Sequence, residues 1–87
     1  MSLRVRWDRA AEDALRALAR RNPATARRIG AAGDRYAETG SGDVRKLRGS
    51  ADEWRLRVGD WRVIFTFDPP GTITVLTVAP RRDVYRR

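Results

Sequence analysis

The stretch Trp54-Arg55-Leu56-Arg57-Val58-Gly59-Asp60-Trp61-Arg62-Val63-Ile64-Phe65 decides the fold. Apolar and basic residues alternate on both sides of Gly59-Asp60, which is the period of a strand with one buried face. A two-residue turn with glycine first suits a type II′ hairpin. Such a turn sets Val58 opposite Trp61, and therefore Arg57 opposite Arg62, with Arg55 one step along on the same face. Trp54, Leu56, Val58, Trp61, Val63 and Phe65 then point the other way. Like charges directly across a strand pair destabilise it, so the arginine face reads as a surface built to receive an anion. The plainer reading is a solvated charged face behind an apolar one. The convergence of three arginines weighs against it.

Outward from the hairpin, the chain continues through a turn at Asp68-Pro69-Pro70-Gly71 into a strand rich in threonine and valine, Thr72 to Val78. If that turn holds four residues, Thr77 falls across from Arg62. Arg81, at the rim, keeps the parity of Thr77. Pro80 stops the strand, and residues 81–87 form a basic tail. Toward the N-terminus, Leu3, Val5 and Trp7 alternate with Arg4 and Arg6, a short strand. Asp8 is a candidate N-cap for a helix over Arg9 to Arg20, with Ala11, Ala14, Leu15 and Leu18 at helical spacing. Asn22-Pro23 starts a second helix, whose stripe of Ala26, Ile29, Gly33 and Tyr36 is small enough for close helix approach. Thr39 to Asp43 closes it as a loop. The expected order is β-α-α-β-β-β: an α+β fold, with two N-terminal helices packed on one face of a mainly antiparallel four-stranded sheet. Trp7, Trp54 and Trp61 all carry core-facing parity, so they read as core rather than as platforms for bases.

A length of 87 residues bounds one domain, 1–87. The chain has no cysteine and no histidine, which removes disulfides, thiolate metal sites and the commonest general base. No cofactor or metal is expected. Net charge is +8, and of the 19 basic residues only Lys46 is a lysine. A charge this high calls for an anionic partner, nucleic acid first and an acidic protein second. No apolar run approaches the roughly 20 residues of a membrane span. The N-terminus has no apolar core of a signal peptide. A cytoplasmic protein is expected.

Lys46-Leu47-Arg48-Gly49, the hairpin from Trp54 to Phe65, and Arg81-Arg82-Asp83-Val84-Tyr85 together resemble the C-terminal half of RelE/ParE toxins. The preceding strand and helix pair are similar to the family's architecture, so the resemblance covers essentially the whole chain. RelE-type members carry basic residues on the second strand, an arginine on the third, and an arginine plus a tyrosine near the C-terminus. Those positions correspond here to Arg55 and Arg57, to Arg62, and to Arg81 and Tyr85. Lys46, Arg48 and Arg82 are expected to add contacts to RNA phosphates. The resemblance implies a type II toxin that cleaves mRNA in the ribosomal A site, by attack of the ribose 2′-hydroxyl on the adjacent phosphate. It also implies a cognate antitoxin that wraps the toxin. ParE members keep the fold but act on DNA gyrase. This chain has Pro80 where many relatives have histidine, and arginines where some have lysines on the second strand.

In such a reaction the phosphorane gains negative charge, and preorganised guanidinium groups suit it. Arginine is a poor proton acceptor, which leaves Tyr85 and Lys46, with ordinary pKa values of about 10 and 10.4, as candidate bases. Neighbouring arginines would lower either value. Tyr85 is the preferred base, with stacking on an unpaired base as its alternative role. The rival readings are a gyrase-inhibiting binding module, a plain nucleic-acid-binding domain and a folded but inactive toxin.

Overall fold

The computed structural model describes residues 2–49 and 52–80. The elements in chain order are β1 (Arg4–Trp7), α1 (Arg9–Arg21), α2 (Pro23–Thr39), β2 (Asp43–Lys46), β3 (Glu53–Val58), β4 (Trp61–Asp68) and β5 (Thr72–Pro80). The strands form one sheet in the order β1-β5-β4-β3-β2. Among the described residues, the β1–β5 pairing alone is parallel, and the other three pairings are antiparallel. Two helices against a mainly antiparallel sheet is the expected α+β architecture. Among the described residues the sheet has five strands rather than four. The addition is β2, whose four residues Asp43, Val44, Arg45 and Lys46 pair with β3 at the sheet edge. Its one apolar residue, Val44, leaves too little alternation to announce a strand.

Local chemistry explains the helix ends. Asp8 sits at the N-cap of α1 in extended backbone, but its side chain makes no capping bond. The Asn22 side chain does cap α2, accepting from the Thr25 N–H at 3.2 Å, with Pro23 in the first turn where its missing donor is not needed. Gly40 ends α2 in the left-handed region, at φ 77°. None of the helices among the described residues is long and apolar enough to cross a membrane.

The core lies between helices and sheet. Ala11, Leu18, Ala26, Ile29 and Ala37 from the helices meet Leu56, Val63, Phe65, Ile73, Val75 and Val78 from the strands. Trp7, Trp54 and Trp61 pack partly buried against this cluster, as their parity requires. The Tyr36 ring lies 5.5 Å from that of Phe65, and burial raises its phenol pKa above the ordinary value.

The β4–β5 register departs from expectation. Asp68 pairs with Thr72, so the connection holds three residues rather than four. A bulge then follows: Phe65 faces Val75 while Ile64 faces Thr77, leaving Leu76 unmatched. Arg62 therefore lies across from Ala79, not Thr77. The bulge has a packing reason. Val75 and Val78 are three apart, and only an extra residue between them lets both face the helices.

Candidate nucleic-acid interface

The hairpin forms in the expected register, with Val58 against Trp61 and Arg57 against Arg62. Gly59 has φ 60° and Asp60 has negative φ, the type II′ pattern, in which glycine takes the one position that an L side chain resists. The sheet face turned away from the helices thus carries Arg55 and Arg57 on β3 and Arg62 on β4. Strand β2 adds Arg45, directly across from Arg55, and Asp43, across from Arg57. Arg45 is missing from the sequence expectation because its strand was missing. Paired with Arg55 on β3, Arg45 shares this face by parity. An exposed ion pair of 3.8 Å joins Arg45 to Asp43.

One backbone atom organises the turn end of this face. The Gly59 carbonyl accepts from Arg57 Nε at 3.4 Å and from Arg62 Nη1 at 3.3 Å. Arg62 Nη1 also donates to the Trp61 carbonyl at 3.0 Å. A shared acceptor between two facing guanidinium groups offsets part of their repulsion and fixes their spacing. Their environments differ. Arg57 is exposed and Arg55 half-buried, whereas Arg62 is 2% exposed. The face is not uniformly open: at its centre Arg62, Ile64 and Thr74 are all buried. Arg62 folds back along its own turn, where the Gly59 and Trp61 carbonyls both accept from its Nη1.

The remaining expected residues divide. Lys46 shares the parity of Val44 and pairs with Trp54, so it lies toward the helix side of the sheet. Its Nζ sits 6.0 Å from the Trp54 ring centroid, the outer reach of a cation–π contact. The structure does not bring it together with Arg57 and Arg62. Arg48 is exposed in the turn after β2. Arg81, Arg82 and Tyr85 lie outside the described residues. Among the described residues, no three or more carboxylate, histidine or cysteine side chains gather in the manner of a metal site.

The family model described as ParE toxin of type II toxin-antitoxin system, parDE, matches residues 5–85. The chain belongs to the RelE/ParE superfamily of type II toxins. Among solved structures, the toxin is similar to the archaeal RelE-RelB complex from Pyrococcus horikoshii OT3, at 31% identity and TM-score 0.73, covering 93% of this chain and 97% of that one. It shares its fold with a mutant of the E. coli toxin RelE in the free state, at 19% identity and TM-score 0.77, covering 99% and 93% of the two chains. The same fold recurs in the YoeB/ParE toxin from Agrobacterium tumefaciens, at 15% identity and TM-score 0.75, covering 90% and 98%. Among proteins of curated function, none matches this toxin by sequence.

Proposed function

We propose that this toxin is a ribosome-dependent endoribonuclease that halts translation by cutting mRNA in the A site. The observation that carries the reading is the opposed pair Arg57 and Arg62, held at one end of the sheet on a single carbonyl. Similarity at 31% identity to an archaeal RelE supports it. In the reaction, the ribose 2′-oxygen attacks the adjacent phosphorus and gives up its proton to a base. The P–O5′ bond breaks, the 5′-oxygen takes a proton, and a cyclic phosphate remains. Arg57, exposed, contacts the phosphate oxygens. Arg62, buried behind it, holds the cationic frame, Arg55 extends it along β3, and Arg81 is a further cation for the phosphate. Tyr85 is the proton acceptor, or else a stacking partner for an unpaired base of the substrate. The position of Lys46 beside Trp54, away from the arginines, favours Tyr85 over it. Arg48 and Arg82 add phosphate contacts. A weakly activated base suits an enzyme whose substrate is oriented by the ribosome.

An acidic antitoxin neutralises the toxin in this reading. The +8 charge attracts it, and the P. horikoshii relative was solved as a complex with RelB. The setting is the cytoplasm, where mRNA and ribosomes are. The second reading is inhibition of DNA gyrase without cleavage, favoured by the match to the ParE model. Mapping of mRNA ends in a translating extract separates the two. New 3′ ends at A-site codons, appearing with the wild-type toxin and lost with Arg57→Ala, are the expected result. Intact mRNA together with gyrase-dependent DNA breaks in cells would establish the second reading instead.

A further inference from the structure

The β3–β4 turn receives a third cation that neither the hairpin pattern nor the family likeness points to. Arg28, exposed on α2, reaches across from the helix layer. Its Nη2 lies 3.5 Å from where a Cβ on Gly59 would stand. Gly59 is also the residue whose carbonyl receives Arg57 Nε and Arg62 Nη1. Three guanidinium groups, from α2, β3 and β4, therefore surround one glycine. Among the described residues no carboxylate pairs with Arg28 or with Arg57. Like charges brought together in this way raise the local positive potential, and they are most stable with an anion among them. Arg28 and Arg57 are the exposed members, so each is free to meet a different oxygen or a different phosphate.

We propose that Arg28 is a further RNA-binding residue, taking a phosphate of the same strand next to the one met by Arg57. The inference rests on the reading of the hairpin face as an RNA site, and it widens that site from the sheet onto α2. A strand bound this way turns around the Gly59 corner of the molecule rather than lying only across the sheet.

The test is binding of a fluorescent single-stranded oligoribonucleotide carrying 2′-O-methyl groups, which cannot be cleaved, to the full chain across a salt series. Arg28→Ala is expected to weaken binding about tenfold, as loss of a charge-assisted contact does. It should also make the slope of log K against log salt shallower by about 0.7, the value for one phosphate on a single strand. Arg20→Ala, which removes an equal charge from an exposed site on α1, is the control and should change affinity less than twofold. Both positions are exposed, so thermal midpoints should match the wild type. If Arg28→Ala behaves like Arg20→Ala while Arg57→Ala weakens binding, the inference is overturned and the hairpin site stands. If neither Arg28→Ala nor Arg57→Ala matters, both fail. Loss of binding in both variants, with or without cleavage in the translating extract, supports Arg28 as an RNA contact.

Discussion

The two faces of the β3–β4 hairpin obey one alternation and end in different states. On the helix side the middle of the hairpin follows the pattern, with Leu56, Val63 and Phe65 within 3% of full burial, while Trp54, Val58 and Trp61 pack partly buried around them. On the far side, three arginines of the same parity take three environments: Arg57 exposed, Arg55 half-buried, Arg62 buried. Period two assigns a side chain to a face, and neighbouring strands then decide how deep it sits. Arg62 lies on β4, flanked by β3 and β5 along its length, beside the fully buried Ile64. Arg57 lies on β3, which has only the four-residue β2 outside it. The helix face supplies stability, and the far face sets cations at graded depth.

The largest effect belongs to the helix face. Phe65 is 1% exposed at the centre of the core, packed by Tyr36 and Phe67. Phe65→Ala is expected to cost about 3–5 kcal/mol. A domain of this size has a total stability on the order of 5–10 kcal/mol, so the variant should sit near its unfolding midpoint in dilute denaturant. A urea titration followed by circular dichroism measures this. A cost below about 1 kcal/mol would mean that the face is not the core.

The two facing arginines sharpen the contrast, because they should separate rate from stability. Arg57→Ala is expected to lower A-site cleavage by about 10²–10³, the usual loss for one oxyanion donor. Stability should move by less than about 0.5 kcal/mol, since the side chain is exposed and its removal also relieves a like-charge pair. Arg62→Ala empties a buried position and strips the Gly59 and Trp61 carbonyls of a donor, which costs about 1–3 kcal/mol. Its loss of cleavage would therefore mix folding with chemistry. Arg62→Met refills most of the volume and should recover part of that stability without cleavage. Equal stability costs at 57 and 62 would break the distinction of depth.

Most of the fold was legible because it is written in periods. The hairpin register, the II′ turn, the Asn22-Pro23 start of α2 and the core parity of the three tryptophans follow from local rules that tertiary structure did not overrule. The misses share a cause, namely non-local information. Strand β2 exists only because β3 offers an edge, and Val44 alone does not signal it. The bulge after Val75 is set by which valines must reach the helices, so counting along the Asp68 to Gly71 turn placed Thr77 where Ala79 belongs. Of the candidate site, the parity of Arg55, Arg57 and Arg62 was readable. The burial of Arg62 and the approach of Arg28 from α2 were not, since both depend on how layers and strands meet.

Lys46 gives the smallest effect and the most direct check on the division between faces. By sequence it belongs with the phosphate contacts, whereas its register places it toward the helix side, over the Trp54 ring. An exposed cation–π contact near its outer distance contributes about 0.5 kcal/mol. Lys46→Ala should therefore lower the urea midpoint slightly and leave cleavage in the translating extract within about twofold of wild type. Lys46→Arg should restore the midpoint, because a guanidinium stacks on indole at least as well as an ammonium does. If Lys46→Ala instead abolishes cleavage while the midpoint holds, the lysine reaches substrate around the edge of β2. The catalytic surface would then include the sheet edge, and parity would no longer be enough to say which residues meet RNA.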